Sequence, residues 1–229
     1  MSFVKNIQEV RARARRNMEQ GPVTQDYQLD RRESVNVLNE ALATEIMCVL
    51  RYRFHYVTAT GIHSAAVAEE FLENAQQEQE HASRIARRIK ELGGKPEMNP
   101  AIVAKTSHTE YEEGNTLADM IREDLVAERI VIETYRQMIN YFGGKDPTSR
   151  TMMEEILANE EEHADELSDL LFAISPAADS ETRRLYFADE VPNGQDRSDA
   201  GFRAAQKNKG LVFRGRGTAQ PFGRRHRFT

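Results

Sequence analysis

Acidic residues and histidines inside apolar stripes constrain this chain more than any other feature. The chain contains two Glu-x-x-His pairs, and residues three positions apart share one face of a helix. A lone glutamate precedes the first pair by 33 residues and the second pair by 32 residues. One such pair is common on solvated helices, but two pairs with lone glutamates in matched register indicate a binding site. The repeated set is Glu45, Glu78, His81, Glu128, Glu160 and His163.

Four long segments have the apolar periodicity of amphipathic helices. Gly-Gly at 93–94 and 143–144 and Pro176 are typical helix stops, and Thr116 is the predicted N-cap of the third helix. No segment between the helices has the pattern of a strand. The predicted helices cover about residues 30–60, 64–92, 117–142 and 147–174.

The connections between these helices predict how they are joined. Residues 61–63 and 143–147 are short links, which favour two antiparallel hairpins. The 23 residues of 93–115 are enough to cross the length of a bundle. We therefore predict an all-α fold, a four-helix bundle with one long crossover, which is the ferritin-like connectivity. The expected divisions are an N-terminal extension (1–30), the bundle (31–175) and a C-terminal extension (176–229).

The acids on the apolar faces of the helices would destabilise a bundle that binds no metal. A carboxylate in a core costs several kcal/mol unless it is paired or binds a metal. Each half of the chain supplies one lone Glu and one Glu-x-x-His pair, the ligand set of di-iron and di-manganese carboxylate bundles. Four carboxylates balance two divalent cations, and imidazole suits iron. The spacing predicts a centre with two Fe ions per subunit as cofactors, with manganese as the alternative.

The pattern continues beyond these six residues. Tyr52 follows Glu45 by seven positions, and Tyr135 follows Glu128 by seven. Glu161 is about 100° of helix rotation from its neighbour in the second pair, so we predict that it lies on the surface. For three further acids, solvated faces are the favoured interpretation and a role around the site is the alternative. These acids are Asp124, Glu155 and Glu162.

The composition restricts the bonds that the chain can form and the compartment in which it is expected. The single cysteine, Cys48, excludes an internal disulfide and suits a reducing compartment, and we predict that it is a small buried hydrophobe. The N-terminal arginines are not followed by an apolar core, so no secretory signal is expected. No window approaches eighteen apolar residues, so no contact with a membrane is expected. The expected location is cytoplasmic.

Four stretches together resemble the ferritin superfamily, and within it the bacterioferritins, over about residues 31–175. They are LNEALATEIMCVLRYRFHY, EQEHASRIARRIKELGG, DLVAERIVIETYRQMI and EILANEEEHADELSDLL. The resemblance implies that Glu78 and Glu160 bridge two irons and that Tyr52 lies beside the centre. It also implies the terminal ligands of the two irons, Glu45 with His81 and Glu128 with His163.

The chain departs from bacterioferritins in two respects. Gln79 stands where they place a haem-ligating methionine, so no haem is predicted. The terminal extensions resemble those of the DNA-protecting mini-ferritins, although those proteins usually build iron sites between subunits. A homo-oligomeric shell of 12 or 24 subunits is implied by the resemblance alone.

Charge divides the chain into an acidic body and a basic tail. Residues 197–229 carry nine Lys or Arg and one acid, a net charge of +8, which leaves −14 on residues 1–196. We interpret the tail as disordered or loosely docked. Such a tail can bind DNA or another polyanion, with Phe222 and Phe228 available for stacking. The alternatives are that it covers the acidic body of a neighbouring subunit or docks to another partner.

These patterns favour a ferroxidase that oxidises Fe²⁺ with O₂ or H₂O₂ and stores or detoxifies iron. One alternative is a di-metal peroxidase or catalase of rubrerythrin or manganese-catalase type. The absence of a Cys-x-x-Cys electron-transfer module argues against the rubrerythrin type. Another alternative is a DNA-binding or DNA-protecting protein that acts through its basic tail.

Overall fold

The computed structural model describes residues 6–61 and 64–174 of the chain. Within these ranges the chain forms six α-helices and one short 3-10 helix, and no strand lies among the described residues. The prediction of an all-α fold is confirmed. The predicted tail at 197–229 lies outside the described residues. The helices are α1 (Ile7–Ala14), α2 (Arg31–Thr58), α3 (Ser64–Glu91), α4 (Pro100–Thr106), α5 (Leu117–Phe142) and α6 (Pro147–Ile174).

The four long helices, α2, α3, α5 and α6, begin and end close to the predicted positions. The Asp30 side chain caps α2 by accepting a hydrogen bond from the Glu33 N–H at 2.9 Å. The Thr116 hydroxyl caps α5 by accepting from the Asp119 N–H at 3.2 Å, which confirms the predicted cap. Local capping therefore fixes where α2 and α5 start.

Two short helices, α1 and α4, were not predicted from the sequence. In α4 the Asn99 side chain accepts from the Ala101 N–H at 3.1 Å, and Pro100 occupies the first turn, where its missing N–H costs nothing. Val103 is its one buried residue, so the helix is too short to show an apolar period. α1 is capped by Asn6 and buries none of its residues, so local interactions alone form it.

The two glycines that follow α3 have different structural roles. Gly93 has a φ of 78°, a left-handed conformation that favours glycine. Gly94 has an ordinary φ, but a Cβ there would lie 2.6 Å from both γ-methyl carbons of Val35. The predicted helix stop is thus also a point of close contact between α3 and α2.

The long helices form two hairpins, α2 with α3 and α5 with α6. The hairpins meet through α2 against α5 and α3 against α6, and α4 packs on α2 within the crossover from 93 to 115. This arrangement confirms the predicted four-helix bundle with one long crossover. Cys48 is buried in its core, as predicted. The largest fully buried apolar side chains include Leu38, Leu42, Phe71, Ile85, Ile89, Ile121, Phe142, Met153, Ile156 and Leu167.

None of the described helices combines the length and the apolar character that crossing a bilayer requires.

One end of the bundle is held by a buried ion pair. The Arg88 guanidinium donates to both carboxylate oxygens of Asp146, at 3.0 and 3.1 Å, and to the Ser149 hydroxyl at 2.9 Å. Asp146 also accepts from the Ser149 N–H at 3.0 Å, which caps α6. The Tyr27 hydroxyl donates to the same carboxylate at 2.9 Å and ties the segment before α2 to this end.

The substitution Asp146→Ala is expected to lower the free energy of unfolding by about 2 kcal/mol or more, because Arg88 loses its buried carboxylate partner and keeps only the more exposed carboxylate of Glu91, and because α6 loses its cap. Thermal unfolding of the metal-free protein, followed by circular dichroism, measures the change. Asp165→Ala, at an exposed position of α6, is the control and should have little effect. Equal losses in the two variants would contradict the assigned role of Asp146.

Candidate metal centre

The predicted site residues form a buried polar layer halfway along the bundle. Glu45, Glu78, Glu128 and Glu160 each lie within two residues of the midpoint of their helix. Apolar side chains fill the core on both sides of this layer. The layer therefore has little contact with water, and no side chain in the set of six, His81 and His163 included, is more than 4% exposed.

Two overlapping groups of ligand-type atoms occupy the layer. The first group comes from Glu45, Glu78, His81 and Glu160, and its atoms lie within 4.8 Å of one another. The second comes from Glu78, Glu128, Glu160 and His163, and its atoms also lie within 4.8 Å of one another. Glu78 and Glu160 belong to both groups. The structure thus brings together all six residues that the repeat singled out.

Several atoms of the layer have no hydrogen-bond partner. The His81 Nδ1 lies 3.0 Å from Glu160 Oε1, and the His163 Nδ1 lies 3.2 Å from Glu78 Oε1, as ion pairs without hydrogen-bond geometry. Buried polar atoms in native proteins are almost always satisfied, so a group left open indicates a ligand. The unsatisfied atoms are Glu45 Oε2, Glu78 Oε1, His81 Nδ1, Glu128 Oε2, both carboxylate oxygens of Glu160, and His163 Nδ1.

Two buried tyrosines hold the lone glutamates across the bundle. The Tyr52 hydroxyl donates to Glu128 Oε1, and the Tyr135 hydroxyl donates to Glu45 Oε1. Each tyrosine therefore contacts the glutamate supplied by the other half of the chain. Tyr135 was not among the predicted site residues. The signal that could have identified it is its spacing of seven from Glu128, which repeats the spacing of Tyr52 from Glu45.

The prediction that Asp124 lies on a solvated face is wrong. Its side chain is fully buried and accepts from Arg51 Nε at 2.8 Å, and the His55 Nδ1 lies 2.7 Å from its other oxygen. Arg51 and His55 also reach the backbone carbonyls of Glu110 and Glu113, both at 3.0 Å. Both partners lie on α2, about 70 residues away in sequence, so α5 alone gave no indication of them.

The other acids around the second pair lie on the surface, as predicted. Glu155 is exposed and pairs with Arg84. Glu161 is exposed, and its Oε1 lies 2.6 Å from a guanidinium nitrogen of Arg136. Glu162 is also exposed.

The close packing of acids and histidines in the layer shifts their pKa values. Burial, followed by the negative charge of Glu78, raises the pKa of Glu45 to about 8. Burial and the same neighbouring charge raise the pKa of Glu128 well above its usual range. Burial disfavours the histidine cations, but the nearby carboxylates, Glu160 foremost, outweigh it, raising the pKa of His81 and taking the pKa of His163 to about 11. Without a cation, the layer therefore holds protons in place of positive charge.

Several known proteins are similar to the part of the chain that forms the bundle. A family model described as "Ferritin-like domain" matches residues 35–175. The DNA protection during starvation protein of Pyrococcus furiosus is 29% identical over 147 residues, which are 62% of this chain and 79% of that protein. The bacterioferritin of Mycobacterium avium is 29% identical over 136 residues, 59% of this chain and 81% of that protein.

A solved structure shows a similar fold. It is the bacterioferritin-related protein of Bacteroides fragilis, described as a dodecameric thioferritin. The TM-score is 0.63 and the identity 32%, and the match covers 66% of this chain and 92% of that one.

The metal-free protein should lose stability as the pH rises from about 6 to about 8. Glu45 keeps its proton in the fold above its ordinary pKa of 4.5, so folding is penalised increasingly between that value and about 8. His163 acts in the same direction, because the stability from its raised pKa is complete below 6.5 and is lost as the pH rises toward about 11. The melting temperature of chelator-treated protein across this range measures the effect.

The variant Glu45→Gln should make this pH profile less steep, because an amide has no proton to lose and only the contribution of groups such as His163 remains. Glu133→Gln, on the exposed face of α5, is the control and should keep the wild-type slope. A melting temperature that stays constant or rises over this range in the wild-type protein would refute the prediction.

Proposed function

The chain belongs to the ferritin-like domain family, and we propose that it is a ferroxidase that oxidises Fe²⁺ with O₂ or peroxide at a two-metal centre within one subunit. The resemblance to bacterioferritins and DNA-protecting mini-ferritins predicted from the sequence is confirmed. The proposed role is iron storage and detoxification.

The observation that carries the proposal is the set of unsatisfied carboxylate and imidazole atoms at the centre of the bundle. Four carboxylates in so small a volume cannot all be charged without cations nearby. Two divalent cations would balance them without a remaining charge. The donor set of carboxylate oxygens and imidazole nitrogens fits iron or manganese. The residues present therefore fit the metal pair that the family implies.

The two overlapping groups support one assignment of ligands. Glu78 and Glu160 belong to both groups and would bridge the two ions. Glu45 with His81 would complete one position, and Glu128 with His163 the other. Two iron ions bound there would each supply an electron to the oxidant.

The rest of the layer keeps the ligands in position. Tyr52 and Tyr135 each hold one oxygen of a terminal glutamate, so its second oxygen faces the centre. The apolar core on both sides excludes water, which strengthens the electrostatic interactions of the site. The buried pairs of Asp124 with Arg51 and with His55 fix the turn of α5 that precedes Glu128. These contacts hold Glu128 in place.

We further propose that the chain assembles into a homo-oligomeric shell that retains the ferric product. The B. fragilis protein is described as dodecameric, and a shell of 12 subunits is the form that this relative supports. Native mass and metal content of one purified sample would report the shell size and whether iron or manganese is bound.

The substitution Glu128→Ala is expected to lower the rate of protein-dependent Fe²⁺ oxidation about tenfold or more, because one ion would lose its terminal carboxylate and keep only the two shared ones and His163. Stopped-flow absorbance of the ferric product after mixing with Fe²⁺ measures the rate. Glu133→Ala is the control on the exposed face of the same helix. An unchanged rate in Glu128→Ala would show that oxidation occurs elsewhere or is spontaneous.

A second candidate function, DNA binding, is supported by the distribution of charge. The net +8 of residues 197–229 contrasts with −14 on the rest of the chain. A basic segment of this kind binds a phosphate backbone by releasing condensed counterions. The 29% identical P. furiosus relative is named for DNA protection. DNA binding and ferroxidase activity are compatible in one protein.

Changing five tail arginines to Gln is expected to weaken binding to duplex DNA about tenfold or more in gel shifts at low salt. The positions are Arg214, Arg216, Arg224, Arg225 and Arg227. Changing the same five to Lys keeps the charge and should retain most of the binding. Binding that survives neutralisation, or that does not weaken as salt is added, would exclude the tail as the DNA-binding element.

A further inference from the structure

Each histidine of the centre has a second ring nitrogen that faces away from it, toward an amide. The His81 Nε2 lies 3.3 Å from the Asn159 side-chain oxygen, and the His163 Nε2 lies 3.3 Å from the Gln77 side-chain oxygen. Asn159 and Gln77 directly precede the shared glutamates of α6 and α3. Each amide contacts the histidine of the facing helix, so the two contacts cross between α3 and α6.

These contacts determine which nitrogen of each histidine faces the centre as an electron-pair donor. An amide oxygen can only accept a hydrogen bond, so the Nε2 of each ring carries a proton and donates it outward. The Nδ1 atoms of His81 and His163 have no hydrogen-bond partner and lie among the carboxylate oxygens. The amides therefore favour the tautomer in which Nδ1 is free to bind a cation.

The amides provide this orientation without adding charge. The outward nitrogen of a metal-binding histidine often donates to a carboxylate, which makes the imidazole a stronger ligand. Glu and Asp have the same shapes as Gln and Asn, so carboxylates would fit at both positions. They would place two further negative charges behind a centre whose four carboxylates already match two divalent cations.

We propose that Gln77 and Asn159 are positioning residues of the metal centre, and that their neutral amides lock the inward tautomers of His163 and His81 while keeping the affinity for divalent cations moderate. The proposal rests on the two-metal centre described above. A centre with moderate affinity can exchange its metal, as a site that handles iron as a substrate must do.

Binding of Co²⁺ alone to the chelator-treated full-length protein tests the proposal without requiring any oxidation activity. The visible absorption of bound Co²⁺, followed through a titration, gives the number of sites and their affinities. Gln77→Glu and Asn159→Asp are each expected to tighten binding about tenfold or more. Gln77→Leu and Asn159→Leu should each weaken it by a similar factor, because the histidine loses the partner that fixes its tautomer.

A matched control separates this effect from added surface charge. Gln76→Glu makes the same change one position away, at an exposed residue, and should leave the affinity within about twofold of the wild type. Circular dichroism of each metal-free variant verifies that it is folded. A merely structural role would make the Glu and Asp variants no tighter than the wild type.

The possible results distinguish this inference from the proposed function. If the wild-type protein binds no Co²⁺, the two-metal centre itself is wrong and both proposals fail. If it binds two Co²⁺ but Gln77→Glu and Asn159→Asp bind like Gln76→Glu, only the role of the amides is overturned. Tighter binding in the carboxylate variants together with weaker binding in the Leu variants supports the proposal.

Discussion

Placing ionisable groups in the middle of an apolar core is costly, and this cost governs the arrangement of the whole bundle. Four carboxylates and two imidazoles lie at the midpoints of the four long helices, where water cannot solvate them. Such a layer is tolerable only if something neutralises it. In the metal-free protein, retained protons do so, because burial and the charge of Glu78 raise the pKa of Glu45, and neighbouring carboxylates outweigh burial and raise the pKa of His163. Two divalent cations would do so with ligands that are already in place.

Partners that cross between the two halves of the chain keep this layer in position. The tyrosine of each half holds the lone glutamate of the other, and the amide of each half contacts the histidine of the other. Neither half is therefore complete without its counterpart. One network departs from this symmetry, because Asp124 is held by Arg51 and His55 while the corresponding position in the first half is Ala41. The two groups of ligand-type atoms thus have different surroundings.

The parts of the fold and site that depend on local pattern could be predicted from the sequence. The helix bounds, the Thr116 cap and the burial of Cys48 follow from periodicity and capping chemistry. The role of Asp124 could not be predicted, because its partners lie on another helix and an acid on one helix resembles any solvated acid. The short helix α4 was missed because seven residues with one buried side chain show no period.

Long amphipathic helices with a repeated set of acids and histidines on their apolar faces follow from the amino-acid order alone, because each helix period is a property of consecutive residues. Which atoms meet depends on how the helices pack in three dimensions. The crossing contacts of Tyr52, Tyr135, Gln77 and Asn159 join residues about 75 to 90 positions apart. They depend on how the two hairpins pack against each other, and no local pattern encodes that packing.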